Sequence, residues 1–327
     1  MSFACAHPAI PRPIAADTLH VVTMISNPVR YGSRYRLFRE FEHRVLAAGA
    51  KLWVVEVAFG ERPHAITAAE NPQHLQLRSS TELWHKENAL NLLIARLPAD
   101  WRYMAWVDAD VLFARPDWAA ETVHQLQHYA VVQMFSECMD LSPGYEFLPP
   151  EHGGERLPSM LRQHVHGTSW GGKPYGKHAG HCGYAWAIRR DAFDTLGGLI
   201  DFSVCGANDH HMARGLIGDI SLSVNAKCSP GLKSALAQWG QRAKAIRGNV
   251  GYVPGAALHY WHGAKKNRGY IDRWQILANS QFDPAKDLRR DWQGLYQLHD
   301  DGSPRMVRLR DDLRGYFRSR DEDGKTL

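Results

Sequence analysis

Cysteine is scarce: five residues in a chain of 327, at positions 5, 138, 182, 205 and 228. They are scattered, odd in number and contain no CxxC pair, which excludes a disulfide framework and a cysteine-ligated zinc. No apolar run approaches the ~18 residues that cross a bilayer. The stretch Met1 to Ile14 holds three prolines and no apolar core of signal-peptide length. Reduced thiols without a targeting or spanning segment predict a cytoplasmic protein. Internal repeats and low-complexity tracts are absent too. Hydrophobic residues at 44% and charged residues at 22% lie near the globular average, so a disordered or fibrous chain is excluded.

At ~150 residues per domain the length suggests about two units. The expected division is an N-terminal extension (1–17), a first half (18–139), a second half (140–275) with a flexible loop (140–180), and a tail (276–327). Net charge is +5, unevenly spread. Residues 1–150 hold 13 basic and 16 acidic groups, residues 151–275 hold 16 and 8, and the remainder 10 and 10. A basic second half suggests an anionic partner, and a solvated surface explains it equally well.

The first half alternates two kinds of pattern. Leu19–Ile25 and Lys51–Ala58 are β-branched apolar runs that predict strands. Between them Leu37, Phe41, Val45 and Leu46 recur at helical spacing and Gly49 ends the run. Residues 81–97 form a second amphipathic segment closed by Pro98, and Tyr103–Val107 is a further strand. This order predicts an α/β fold with a mostly parallel central sheet flanked by helices. The stretch from Asp140 to Gly180 is rich in Pro, Gly and His and shows no period, so it reads as a long inserted loop. Strands at 184–188 and 256–261 and helices at 191–196, 206–216, 232–246 and 308–319 follow.

Ligands of parallel sheets bind at the carboxyl ends of strands, where Asp108-Ala109-Asp110 falls. Two carboxylates at the end of a hydrophobic strand are costly without a partner, and Mg²⁺ or Mn²⁺ bridging to a diphosphate would supply one. A turn or helix cap is the alternative explanation of such aspartates, and their position after a core strand favours the metal.

Several segments together resemble the GT-A-fold glycosyltransferases. They are the strand ending at Ile25-Ser26-Asn27, Lys86 and Asn91 in WHKENALN, and WVDADVLF. The block GHCGYAWAIRRDAFDTLGGLIDFSVCGANDHHMA is similar to the acceptor side of that family, and LHYWHGAKKNR to its late histidine segment. The resemblance spans residues 18–270. It implies a nucleotide-sugar donor, commonly a UDP-sugar, a divalent cation, and a catalytic carboxylate in inverting members. The acidic pair of the family stands here as Asn208-Asp209, leaving Asp209 as the only carboxylate. As general base Asp209 would take the proton of the acceptor hydroxyl; capping the helix that follows is its alternative role.

The same resemblance suggests Asp108, Asp110 and His262 as metal ligands. A strand would put His259 and His262 on opposite faces, which assigns His259 to the core. Ser26, Asn27, Arg30, Arg34, Lys86, Asp108 and Lys265 are the expected donor contacts, and Trp170, Tyr175 and Asn208 the expected acceptor contacts. His210 and His211 read as helix-surface residues and Trp186 as core.

The activity so expected is a metal-dependent, inverting transfer from a nucleotide-sugar to a hydroxyl. A hydroxymethylated base in DNA is the sharper acceptor, with Lys233, Arg242, Lys244 and Arg247 along the duplex. A glycan or lipid-linked saccharide is the rival acceptor. A nucleotidyltransferase and a catalytically silent binding module are rivals of other classes; the first would need a Gly-rich phosphate loop, and SNPVRYGSRYR has one glycine.

Overall fold

The computed structural model describes residues 18–168, 180–270 and 272–326. In chain order the first half contains β1 (Leu19–Ser26), α1 (Gly32–Ala47), β2 (Lys51–Phe59), β3 (His74–Ser79), α2 (Lys86–Ile94), β4 (Tyr103–Val107), β5 (Val111–Phe113), α3 (Trp118–His128), β6 (Val131–Gln133) and β7 (Glu137–Asp140). The second half adds β8 (Arg156–Pro158), α4 (Met160–Val165), β9 (Ala185–Arg189), α5 (Arg190–Leu196), α6 (Asn208–Leu216), α7 (Pro230–Ala243), β10 (Val250–Tyr252) and β11 (Ala256–His259). The last stretch holds α8 (Arg273–Asn279), α9 (Pro284–Asp287), β12 (Leu288–Arg290), β13 (Tyr296–Leu298) and α10 (Pro304–Ser319).

Seven strands build the central sheet in the order β10-β6-β9-β4-β1-β2-β3. All neighbours are parallel except β9, which runs antiparallel to β4 and β6. The expected mixed, mostly parallel α/β architecture is therefore present. Helices cover both faces, which is why β1 and β2 are buried almost throughout and read as continuous apolar runs. On one face Trp106 and Trp186 stack with ring centroids 6.0 Å apart, among side chains of α2, α6 and α7. The other face is filled from α1 and α3. Trp186 is a core residue, as expected.

A second sheet, β5-β11-β7-β8, stands beside the carboxyl ends of β1 and β4. Part of it comes from the stretch expected to be one long loop. Residues 141–168 instead contain β8 and α4, with Ser159 capping α4 through the Arg162 N–H. Strands of three residues are too short to show a period, and β8 exists because β7 pairs with it. His210 and His211 also depart from expectation: both are buried, and the His211 ring meets Trp274 edge-on at 5.2 Å. Beyond residue 275, Leu277, Phe282, Leu295, Leu309 and Leu313 join the same core as the central sheet. Among the described residues no helix is long and apolar enough to cross a membrane.

Candidate active site

A cavity of about 470 Å³ opens where β1 and β4 end. Its wall takes Ser26 from β1, Lys86 and Glu87 from α2, Asp108 and Asp110 after β4, Asp209 from α6, and His259 and His262 from β11 and the turn beyond. Local pairing explains the convergence. The Asp108 N–H donates to the Tyr184 carbonyl at 2.8 Å, and the Tyr260 N–H donates to the Asp110 carbonyl at 2.8 Å. The second contact extends the β5–β11 pair by one step and sets Asp110 between the two histidines.

The three side chains form a compact group. His262 Nε2 lies 3.0 Å from Asp110 Oδ2, and His259 Nε2 lies 3.7 Å from Asp110 Oδ1. The two Nε2 atoms are 3.2 Å apart, so one carries a proton toward the other. Their donor atoms all fall within 4.8 Å of one another. His259 is buried, as expected of a core residue, and its Nε2 also joins this group. β11 stops at His259, so strand alternation ends there and the turn returns His262 to the same side. Burial, with Arg268 nearby, lowers His262 to about 4. Burial also pulls on His259, but Asp110 and Asp140 outweigh it and raise its pKa. Asp110 is half-buried, which on its own would raise its pKa, yet the two histidines hold it well below the usual carboxylate range.

Asp108 does a different job from Asp110: it forms an ion pair with Lys86 at the start of α2. Asp209 stands in the first turn of α6, where its Oδ1 accepts the His210 N–H at 2.8 Å. Ala207 is the residue before the helix, in the left-handed region at φ 67°, and makes no side-chain cap. Gly183 lets the carboxylate approach the backbone just before β9, because a Cβ there would sit 2.8 Å from Asp209 Oδ2. Asn208, expected to meet an acceptor, is buried behind this wall. Its Nδ2 donates to Glu87 Oε2 at 2.7 Å and to the Ser203 carbonyl at 3.3 Å.

Other expected contacts are placed as follows. Asn27 closes the turn after β1 by bonding the Tyr31 backbone at 2.8 and 2.9 Å. Asn27 and Arg30 line a separate pocket of about 160 Å³ with Phe59 and Arg62. Arg34 is held by Glu322 at 2.5 and 2.6 Å. Lys265 is held by Asp140 at 2.5 Å and by the Gly153 carbonyl at 2.7 Å. Trp170 and Tyr175 lie outside the described residues. The basic residues of α7 line no part of the cavity. Lys233 instead donates to the Ala226 carbonyl and Arg242 to the Leu196 carbonyl, at 2.6 Å each.

Glu87, Asp140 and Glu322 line the wall and were not legible beforehand, whereas Arg268 follows His262 in the basic stretch expected to meet an anion. Arg268 is 5% exposed and its guanidinium donates to the Tyr270 hydroxyl at 3.0 Å. Its Nε has no hydrogen-bond partner, and no carboxylate pairs with it among the described residues. Of the three acidic residues, only Glu87 was hinted at, by its adjacency to Lys86.

Burial pushes the Glu87 carboxyl from 4.5 up to about 7, with Lys86 opposing the shift. The folded chain therefore binds this proton more tightly than the unfolded one. The stability that neutral Glu87 contributes is full below pH 4.5 and is lost as pH rises through about 7. The loss is on the order of 3 kcal/mol. Glu87→Gln, which keeps an acceptor for Asn208, is expected to lose less stability between pH 5 and 8 than the parent. Urea midpoints at the two pH values measure this, and parallel losses would contradict it.

No protein-family model matches the chain, and no characterised protein matches it by sequence. Some solved structures resemble it weakly. One is a Drosophila β1,4-galactosyltransferase 7 mutant in complex with manganese, UDP-Gal and xylobiose, at 10% identity and a TM-score of 0.34 over 72% of this chain. This chain spans 65% of that one's length. A second structure is described as a nucleotide-diphospho-sugar transferase from Desulfovibrio desulfuricans. It shows 12% identity and a TM-score of 0.33, covering 92% of this chain and 96% of its own. A third, residues 1–349 of TarS from S. aureus, gives 12% and 0.36 over 94% of this chain and 89% of that one. TM-scores this low leave the similarity as a resemblance and no more.

Proposed function

We propose that this chain is a metal-dependent, inverting glycosyltransferase of GT-A type that moves a sugar from a nucleotide-sugar to a hydroxyl acceptor. The observation that carries the reading is one cavity at the carboxyl end of a mostly parallel sheet, holding a three-donor cluster and a separate carboxylate, Asp209. The cluster fits a divalent cation. Two imidazole nitrogens face each other beside a carboxylate whose Oδ1 is buried without a hydrogen bond. Two imidazoles favour Mn²⁺ over Mg²⁺, which prefers oxygen donors and water. Asp110, His259 and His262 would hold the ion. When bound, it neutralises charge on the leaving diphosphate.

The remaining steps belong to the chain. Arg268, buried and without a carboxylate partner among the described residues, offers charge-assisted hydrogen bonds to a diphosphate. The smaller pocket with Arg30, Phe59 and Arg62 suits a flat base beside it, so residues 18–139 serve as the donor half. Asp209, from the acceptor half (140–275), takes the proton from the attacking hydroxyl. Gly183 keeps its carboxylate open to the cavity. Because the basic residues of α7 line no part of the cavity, a saccharide hydroxyl suits it better than duplex DNA. The free thiols of Cys138, Cys182, Cys205 and Cys228 fit a reducing compartment such as the cytoplasm.

Incubating the protein with Mn²⁺ and a panel of UDP-sugars, with simple saccharides and hydroxymethylated DNA as acceptors, tests the proposal by mass. Sugar transfer to a saccharide is the expected result. Nucleotidyl transfer, or no donor cleavage with any nucleotide-sugar, would overturn it.

A further inference from the structure

We infer that Asp140 and Glu322 are positioning carboxylates that orient the two histidines of the candidate metal centre, and that the segment after α10 is thereby part of that centre. The inference rests on the metal reading above. A ligating histidine must present one ring nitrogen to the ion, and an acceptor on its other nitrogen sets which one.

For His259 that acceptor is in place. Its Nδ1 lies 2.8 Å from Asp140 Oδ1, which turns Nε2 toward Asp110. The Tyr184 hydroxyl donates to the same oxygen at 3.0 Å, and its ring stacks on His259 at 4.5 Å and 17°. Lys265 binds the other oxygen of Asp140. The imidazole is thus clamped at its edge and on its face.

For His262 the acceptor waits. Nδ1 is buried without a hydrogen bond, and the Glu322 carboxylate stands 3.9 Å from it. His262 Nε2 faces Asp110 Oδ2 at 3.0 Å and His259 Nε2 at 3.2 Å, so a proton on that nitrogen has acceptors to donate to. An ion on Nε2 would shift the proton to Nδ1, toward Glu322.

Glu322 is not there by chance of a loose end. Arg34 and Arg320 both bind its carboxylate, Arg320 at 2.6 Å. Asp323 accepts the Gly32 and Ser33 N–H groups at 2.8 Å each, at the start of α1. The Trp261 indole donates to the Gly324 carbonyl at 2.7 Å. Gly263, the neighbour of His262, lies at φ 89°, and a Cβ on it would meet the Asp321 carbonyl oxygen at 2.6 Å. The turn that carries His262 and the segment that carries Glu322 are therefore packed backbone to backbone.

The test uses the full chain and Mn²⁺ alone or with UDP, with bound ion read by electron paramagnetic resonance. Asp140→Asn is expected to weaken Mn²⁺ binding by about 10–100-fold, and Glu322→Gln by about tenfold. UDP binding in EDTA reports whether each variant keeps its fold. Parent-like Mn²⁺ affinity in both variants would overturn the positioning role while leaving the metal reading intact. Absence of Mn²⁺ binding in the parent, with and without UDP, would instead remove the metal reading itself. Independently of any variant, ¹⁵N spectra of the parent at pH 8 should show His259 protonated on Nδ1. His262 should move its proton from Nε2 to Nδ1 on adding Zn²⁺. A His259 protonated on Nε2, or an unchanged His262, would overturn the inference.

Discussion

Replacing Asp209 with asparagine is expected to cut turnover by about 10²–10⁴-fold, the usual loss when a general base is removed. Donor affinity should stay nearly unchanged, because Asp209 is not a member of the Asp110–His259–His262 cluster. Asparagine keeps the shape and can still accept the His210 N–H that Asp209 accepts now, so the fold should not suffer. The effect should appear in kcat, with KM for the donor little moved. The anomeric configuration of the product is a second check. A single displacement with Asp209 as base inverts it, so a retained configuration would remove Asp209 from this role.

Asp110→Ala should have a comparable or larger effect through a different route. Asp110 contacts both histidines, and its loss leaves two facing imidazoles with no carboxylate between them. Mn²⁺ binding should fall below detection and donor cleavage should drop by at least about 10³-fold, the scale of several kcal/mol of charge stabilisation. Asp108→Ala should behave differently, since Asp108 is paired with Lys86 and stands outside the cluster. It should weaken donor binding while leaving Mn²⁺ binding to the protein alone close to that of the parent. Full donor cleavage in excess EDTA, or equal loss of Mn²⁺ in both variants, would contradict this division of labour.

Much of the first half was legible before the structure. β1, β2 and β4 are apolar runs because helices cover both of their faces, and α1 carries its core contacts at Leu37, Phe41 and Val45 on one stripe. The short strands β6, β8 and β10 were not legible, since three residues carry no period and each exists through a distant partner. Asn208 misled because an amide beside Asp209 looks available, whereas the first turn of α6 points it into the wall toward Glu87. The basic residues of α7 misled in another way. Charge can be counted along a chain, but the face of the molecule it occupies cannot.

On its own, then, the amino-acid order determined the α/β class, the strand-end position of Asp108 and Asp110, and the helix-start position of Asp209. Each of these is set by side-chain periodicity over a few neighbouring residues. Tertiary structure alone decided that Asp110 faces both His259 and His262, that Lys86 takes Asp108, and that Arg34 pairs with Glu322 in the cavity wall. The physical reason is the length of chain involved. Arg34 and Glu322 are 288 residues apart, and no local pattern encodes which buried charge will meet which. That is settled only when the sheet, the turn after β11 and the segment after α10 come to share one cavity, where each buried charge must find a partner or leave its desolvation uncompensated.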